Sequence, residues 1–175
     1  MSVALSDTLI ELARAGSGSP DWLAARVAAA ERAGSSPLPS VEEEIWRYSR
    51  IGELDLLRFR PAVDGLDTVA VRGPRELLAD AGHAAAVELG TVAAAADLFT
   101  DLNTAFASPV VVHVPAGKAF AEPLVLRHTV LADGTLVAPR LLVVAGPDSE
   151  VTVVERFQGD RASLCLLYTS DAADE

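Results

Sequence analysis

The sequence predicts an α+β protein, with a mainly helical N-terminal part over residues 1–108 and a β-rich part from Pro109 onward. Three observations predict it. Ser, Pro and Gly punctuate the first hundred residues as they punctuate helices. From Pro109 to Phe157, four short runs rich in Val, Leu and Thr are separated by Gly, Pro and Asp breaks, the pattern of strands. The first and third runs are centred about 30 residues apart and the second and fourth about 27, the range in which repeat architectures fall. Each pair is spaced to form one face of successive turns of a coil.

Leu5, Leu9 and Leu12 share one side of a first helix, Ser6 to Ala15, which Ser17-Gly18-Ser19 interrupts. Ser19 is an N-cap for a second helix, Pro20 occupies its first position and Asp21 suits the positive end of its dipole. That helix is expected to reach Arg32 or Ala33 and to stop at Gly34, with Trp22, Leu23, Val27 and Ala30 on one side. Its polar face holds too few lysines for a membrane-surface helix. Ser40 and Glu43 form a capping box after Pro39 and predict a short helix from Val41 to about Tyr48. Trp46 and Tyr48 are expected to dock this linker on the body while Arg47 pairs with a carboxylate. Glu42, Glu43 and Glu44 are adjacent on that helix and point apart, so they do not converge on a site.

Between Ile51 and Leu89 the pattern is weak. Asp55 to Pro61 reads as extended, Asp67 to Gly73 as an alternating strand, and Pro74 opens a short helix through Leu77 and Leu78 that closes near Gly82. His83 is read as a loop residue. Thr91 is expected to cap a helix to about Phe106 with an apolar stripe of Val92, Ala95, Leu98, Phe99, Leu102, Ala105 and Phe106. Asn103 interrupts that stripe and needs a hydrogen-bond partner if buried. The strands follow as Val110–Pro115, Pro123–His128, Arg140–Val144 and Glu150–Glu155. Asp133-Gly134 taken alone would suggest a hairpin.

Composition limits the function. A net charge of -11 argues against nucleic acid or an anionic membrane as partner, since both require clustered Lys and Arg. A single cysteine, Cys165, gives no disulfide framework and no Cys-based metal site. No apolar run is long enough to span a membrane and the N-terminus lacks the features of a signal peptide, so cytoplasmic residence is the expectation. His113 and His128 lack a third ligand at metal-site spacing and are expected to be solvent-facing strand histidines. No P-loop, G-x-G-x-x-G, G-x-S-x-G or H-E-x-x-H occurs. The residues show no catalytic constellation, so no catalytic, cofactor-binding or metal residue is assigned and the chain is read as a non-enzyme.

Some of these segments carry a resemblance. Pro39 with Glu44-Ile-Trp-Arg-Tyr48 resembles the proline and E-x-W-R-Y signature near the start of SufD-type proteins of the SUF iron–sulfur assembly system. Leu98 to Phe106 resembles that family's helix before its β core. Val112-His-Val-Pro-Ala-Gly117 with Pro123-Leu124, and Pro139-Arg140 leading to Glu150–Glu155, resemble the first rungs of the core. The match runs in order from about Ser36 to Leu164. The SufB paralogue shares the β core, and the helical N-terminal region and the E-x-W-R-Y segment favour SufD.

The resemblance implies an N-terminal helical domain, a right-handed parallel β-helix and a C-terminal helical domain, which demotes the Asp133-Gly134 hairpin. It implies a scaffold subunit acting with SufB and the ATPase SufC, with no turnover of its own. It implies no resident cofactor in this stretch, while the complete complex assembles an iron–sulfur cluster. The family's cluster-assembly residues and SufC-binding helices lie beyond the matching region.

After about Leu164 the strand pattern and the resemblance both stop. Residues 109–164 are therefore expected to be the start of a truncated β-helix core. Residues 165–175 are read as a non-native tail resembling sequencing-adapter read-through. About two coils with an open edge are expected to fold poorly beyond Pro109. Two other classes remain: a stand-alone β-sandwich binding module, and a β-helix enzyme such as a polysaccharide lyase or acyltransferase. Antiparallel neighbours for Val112 and Leu126 would support the first, and parallel stacking of Val112 on Val143 would exclude it. The second needs convergent acidic or histidine side chains along one strand face, which the sequence lacks.

Overall fold

The structure, a computed structural model, describes residues 3–79, 88–91, 97–160 and 162–167, and for residues 3–6 the backbone alone. His83, Gly82, Val92, Ala95 and the tail beyond Leu167 lie outside the described residues. The described chain is α+β, with three helices and two mixed sheets.

Helix α1 spans Val3–Arg14 and α2 spans Pro20–Ser35. The Ser19 hydroxyl accepts the Trp22 N–H at 3.2 Å and Pro20 begins α2, as the sequence predicts. At the other end α2 runs through Gly34, and the Ser36 N–H closes it on the Arg32 carbonyl at 2.9 Å. The buried side of α2 is Trp22, Arg26, Ala29, Ala30 and Ala33, which replaces the expected Trp22–Leu23–Val27–Ala30 side. The reason is the small alanine face, which lets α2 press against α3, while Arg26 is drawn inward by two carbonyls.

The Ser40–Glu43 box forms in part: the Glu43 carboxylate accepts the Ser40 N–H at 2.8 Å, and the Ser40 hydroxyl accepts the Glu42 N–H at 3.2 Å. Only a 3-10 turn over Glu44–Trp46 follows, instead of a helix to Tyr48. Two further 3-10 turns, Ile51–Glu53 and Leu56–Arg58, precede a two-residue strand β1, Arg60–Pro61. Strand β2 is Leu66–Arg72, a 3-10 turn covers Arg75–Leu77, and β3 is Leu78–Ala79.

Helix α3 is Leu98–Phe106. Its cap is Asp97, not Thr91. The Asp97 carboxylate accepts the Thr100 N–H at 2.9 Å and the Thr100 hydroxyl accepts the Asp97 N–H at 2.9 Å. Thr91 instead turns its hydroxyl back to the Glu88 carbonyl at 2.9 Å.

The β-rich part forms β4 (Ala107–Val114), β5 (Leu124–Val130), β6 (Thr135–Ala145), β7 (Val153–Gln158) and β8 (Leu164–Cys165). Strands β4 and β6 pair in parallel from Ala107↔Ala138 to Val114↔Ala145. Strands β5 and β7 pair in parallel from Leu124↔Val153 to Thr129↔Gln158, and β6 and β8 in parallel at Leu136↔Leu164. Strands β5 and β6 lie in different sheets, so Asp133-Gly134 does not close a hairpin.

The sheets are not uniformly parallel, and here the described residues depart from the expected β-helix. Strand β2 pairs antiparallel with β5, and β3 antiparallel with β4. Both come from the N-terminal part and cover the first edge of each sheet, which would otherwise expose unpaired N–H and C=O groups. Val112 thus lies between Val143, parallel, and Leu78, antiparallel. The parallel stacking of Val112 on Val143 excludes the stand-alone β-sandwich module, although Val112 and Leu126 each also have an antiparallel neighbour.

Three clusters hold these layers. Leu9, Ala13, Ala29, Ala33, Leu102 and Phe106 pack the helices on Leu136 and Ala138 of β6. Trp22 packs on Ala107 and Val111 of β4. Leu124 and Leu126 of β5 meet Val112 and Val114 of β4 in the space between the sheets. Alternation in β5 sends Leu124, Leu126 and His128 to that interior face.

Candidate functional site

The interior face of β5 ends in a polar side chain. His128 is 1% exposed. Its Nδ1 lies 2.8 Å from the Thr68 hydroxyl on β2, and its Nε2 lies 2.9 Å from a Glu155 carboxylate oxygen on β7. The Phe157 ring stacks on the imidazole at 4.6 Å and 15°. Register puts the groups together: Thr68 stands opposite His128 across the antiparallel pair, and Phe157 opposite it across the parallel one. A carboxylate only accepts, so Nε2–H donates to Glu155, and Nδ1 shares a hydrogen bond with the Thr68 hydroxyl. His128 is therefore a buried tie across three strands and not the solvent-facing histidine the sequence suggested. The signal that was present is the even spacing of Leu124, Leu126 and His128.

Hydroxyl, imidazole and carboxylate in this order match the connectivity of a nucleophile, a base and an orienting acid. The surroundings do not serve that chemistry. The imidazole faces are taken by packing, and the two described clefts of the molecule are lined by other residues. His128 and Glu155 are two potential ligands. No group of three His, Cys, Asp or Glu side chains that could hold a metal occurs among the described residues.

The other residues considered for chemistry disperse. His113 is half-buried on β4 and keeps a partner there. Asn103 is 2% exposed, and its side-chain amide donates to the carbonyls of Pro139 at 3.3 Å and Leu166 at 2.8 Å. It has the hydrogen bonds its burial demands. Trp46 docks on Phe99, with ring centroids 5.3 Å apart, and Arg47 pairs with Glu44 at 2.8 Å. Tyr48, expected to dock beside Trp46, is 91% exposed, and Ile45 is 81% exposed. The turn ends at Trp46 and Tyr48 lies beyond it, while Ile45 borders a second cleft with Trp46 and Phe99.

Cys165, on β8, is solvent-exposed, yet partial burial of its thiol and then the negative charge of Glu155 push its pKa up. That direction lowers the thiolate fraction and makes it a poorer nucleophile and ligand.

A larger concavity lies between the helical layer and β6, with a volume of about 470 Å³. Leu9 and Leu12 of α1, Leu57 and Phe59, and Leu98 and Leu102 of α3 form most of its wall, and Leu136 of β6 its floor. Arg60 is the one charged residue among the described lining residues, and the Thr8 hydroxyl is the other side-chain polar group. Sequence reading missed this cleft, because its lining comes from five separated segments that each read as ordinary structure.

No helix among the described residues is long and apolar enough to cross a membrane. No protein-family model matches the chain, and no curated protein matches it at a significant level.

Proposed function

We propose that the chain is the N-terminal part of a SufD-type scaffold subunit, a non-catalytic platform for iron–sulfur cluster assembly that acts with a SufB-type subunit and a SufC-type ATPase in the cytoplasm. One observation carries the reading. Val112 lies beside Val143, Leu126 beside Glu155 and Leu136 beside Leu164, all in parallel and each about 30 residues on. On this reading β4 to β8 are the opening rungs of a right-handed parallel β-helix, and β2 and β3 close its first edge.

Three features support it. The E-x-W-R-Y segment, Glu44 to Tyr48, leads from the helical layer toward the strands with Trp46 as its anchor. The parallel interior is filled by Val and Leu side chains, which suits a structural column. The buried His128 relay ties strands together and opens onto neither described cleft. The iron–sulfur cluster is cargo of the complete complex on this reading, and no residue of this chain is assigned to hold it.

A chimera tests the proposal. Residues 1–164 would replace the corresponding segment of an established SufD-type subunit in a strain that depends on the SUF system. The expected outcome is a chimera that co-purifies with SufB and SufC and restores iron–sulfur enzyme activity. A soluble, well-expressed chimera that joins neither partner overturns the assignment.

A further inference from the structure

We propose that the cleft between the helical layer and β6 binds a single-chain amphiphile with a carboxylate head, such as a medium-chain fatty acid. The inference does not depend on the scaffold reading. Its volume of about 470 Å³ lies within the range of small-molecule sites. Apart from Thr8 and Arg60 the wall is aliphatic and aromatic, from Leu9 and Leu12 to Phe59 and Leu102. Such a surface offers an unbranched alkyl chain nothing to hydrogen-bond and rejects a polar or flat heterocyclic ligand, whose polar atoms would be left unpaired.

The head group follows from charge. The molecule carries a net -11, so an anion is repelled over most of its surface. At this cleft the sign is reversed: Arg60 is the one charged residue among the described lining residues. The Arg60 side chain is exposed and makes no ion pair or hydrogen bond among the described residues. A planar guanidinium with free donors matches a carboxylate in bidentate geometry. Leu57, 76% exposed at the cleft, gives the alkyl chain an apolar surface to cover.

Arg60 is also fixed in place. It stands in β1, its N–H donates to the Gly134 carbonyl at 2.8 Å, and β1 pairs with Thr135 and Leu136 of β6. The backbone that carries this cation is thereby held along β6, whose Leu136 forms the apolar floor. A ligand with its head on Arg60 places its chain along the leucines of α1 and α3.

Isothermal titration of the 175-residue chain with dodecanoate, decanoate, dodecylamine and dodecanol, each below its micelle concentration, tests this. Dodecanoate is expected to bind with a 1:1 stoichiometry. Each methylene contributes about fourfold in affinity, so decanoate is expected to bind about fifteenfold more weakly. Dodecylamine is expected to bind at least tenfold more weakly than dodecanoate, and Arg60→Ala to abolish that preference while leaving dodecanol binding unchanged. Leu57→Ser changes an exposed side chain without adding charge, and with an unchanged circular dichroism spectrum it is expected to weaken all three twelve-carbon ligands. No saturable heat with dodecanoate overturns the proposal. So does equal binding of the carboxylate and the amine, or a carboxylate affinity unmoved by Arg60→Ala.

Discussion

Arg26 shows how much one side chain can do without chemistry. It is 1% exposed, its Nε donates to the Ala13 carbonyl at 3.1 Å and its Nη1 to the Ala107 carbonyl at 2.8 Å. It thus joins the last turn of α1, the middle of α2 and the first residue of β4, and a cation at the C-terminus of α1 also meets the negative end of that helix. Burial pushes the guanidinium pKa down, and no carboxylate offsets it. The loop beside it must be narrow, since a Cβ on Gly16 would fall 2.4 Å from the guanidinium carbon. The guanidinium cannot swing aside, because both carbonyls hold it. Gly16→Ala is therefore expected to cost about 1–3 kcal/mol in chemical denaturation, as overpacking does. In an Arg26→Met background the same change is expected to cost much less, because the clash is gone. Equal costs in both backgrounds would remove Arg26 as the cause. Cys165 gives a pH-dependent case. Burial first and Glu155 second raise its thiol pKa above the ordinary 9.0, so the unfolded chain releases that proton more readily than the folded one. Its contribution to stability is present below pH 9.0 and is lost as pH rises through the folded value. Iodoacetamide at pH 8.5 is expected to modify the native chain more slowly than the urea-unfolded chain, and Glu155→Gln to narrow the gap. A native rate equal to the unfolded one would contradict the shift.

At the scale of elements, the sequence was legible wherever a local rule acted alone. Ser19-Pro20 began α2 because the cap and the fixed φ of proline need no tertiary help. The four β-rich runs became β4 to β7 because Val and Leu between turn residues satisfy the same rule wherever they pack. It failed where distant segments competed. Asp97, not Thr91, caps α3, since Asp97 and Thr100 satisfy each other's backbone donors and Thr91 has Glu88 to bond. The antiparallel cover by β2 and β3 was illegible, because pairing partners are chosen by packing and not by propensity. Of the candidate sites, Glu42–Glu44 were read as pointing apart on a helix that does not form, and the burial of His128 depended on Thr68 and Glu155, residues 60 and 27 positions away. Helix α3 shows what such distant bonds are worth. Asn103 joins it to the Pro139 carbonyl of β6 and to the Leu166 carbonyl beyond β8. Asn103→Ala leaves both carbonyls without that donor and opens a cavity, so a loss of about 2–3 kcal/mol is expected. Asp97→Ala removes a cap and is expected to cost about 1 kcal/mol. Urea melts rank the two. A smaller loss for Asn103→Ala than for Asp97→Ala would show that the long-range bonds matter less than the local cap.

For the whole molecule, the two sheets differ in how their edges are managed. Strand β5 is paired on both sides, by β2 and by β7. Among the described strands, β7 is paired with β5 alone, so one row of its N–H and C=O groups faces outward. Such an edge is a template for another strand, the mode by which chains pair by β-augmentation. Phe157, 43% exposed on β7, adds apolar surface at that edge. Two consequences follow for the isolated chain. Amide exchange is expected to be slow in β5 and faster in β7, since β7 opens without disturbing the strands behind it. The chain is also expected to associate with rising concentration, and the association to pass through β7. Val154 alternates with the inward Val153 and Glu155, so Val154→Lys places a charge on the outer face of the edge without entering the interior. Sedimentation velocity over a hundredfold range of concentration separates the outcomes. The native chain is expected to shift to larger species while Val154→Lys stays monomeric with unchanged circular dichroism. If both sediment as monomers throughout, the β7 edge is already protected. The platform reading would then need some other surface on which to meet its partners.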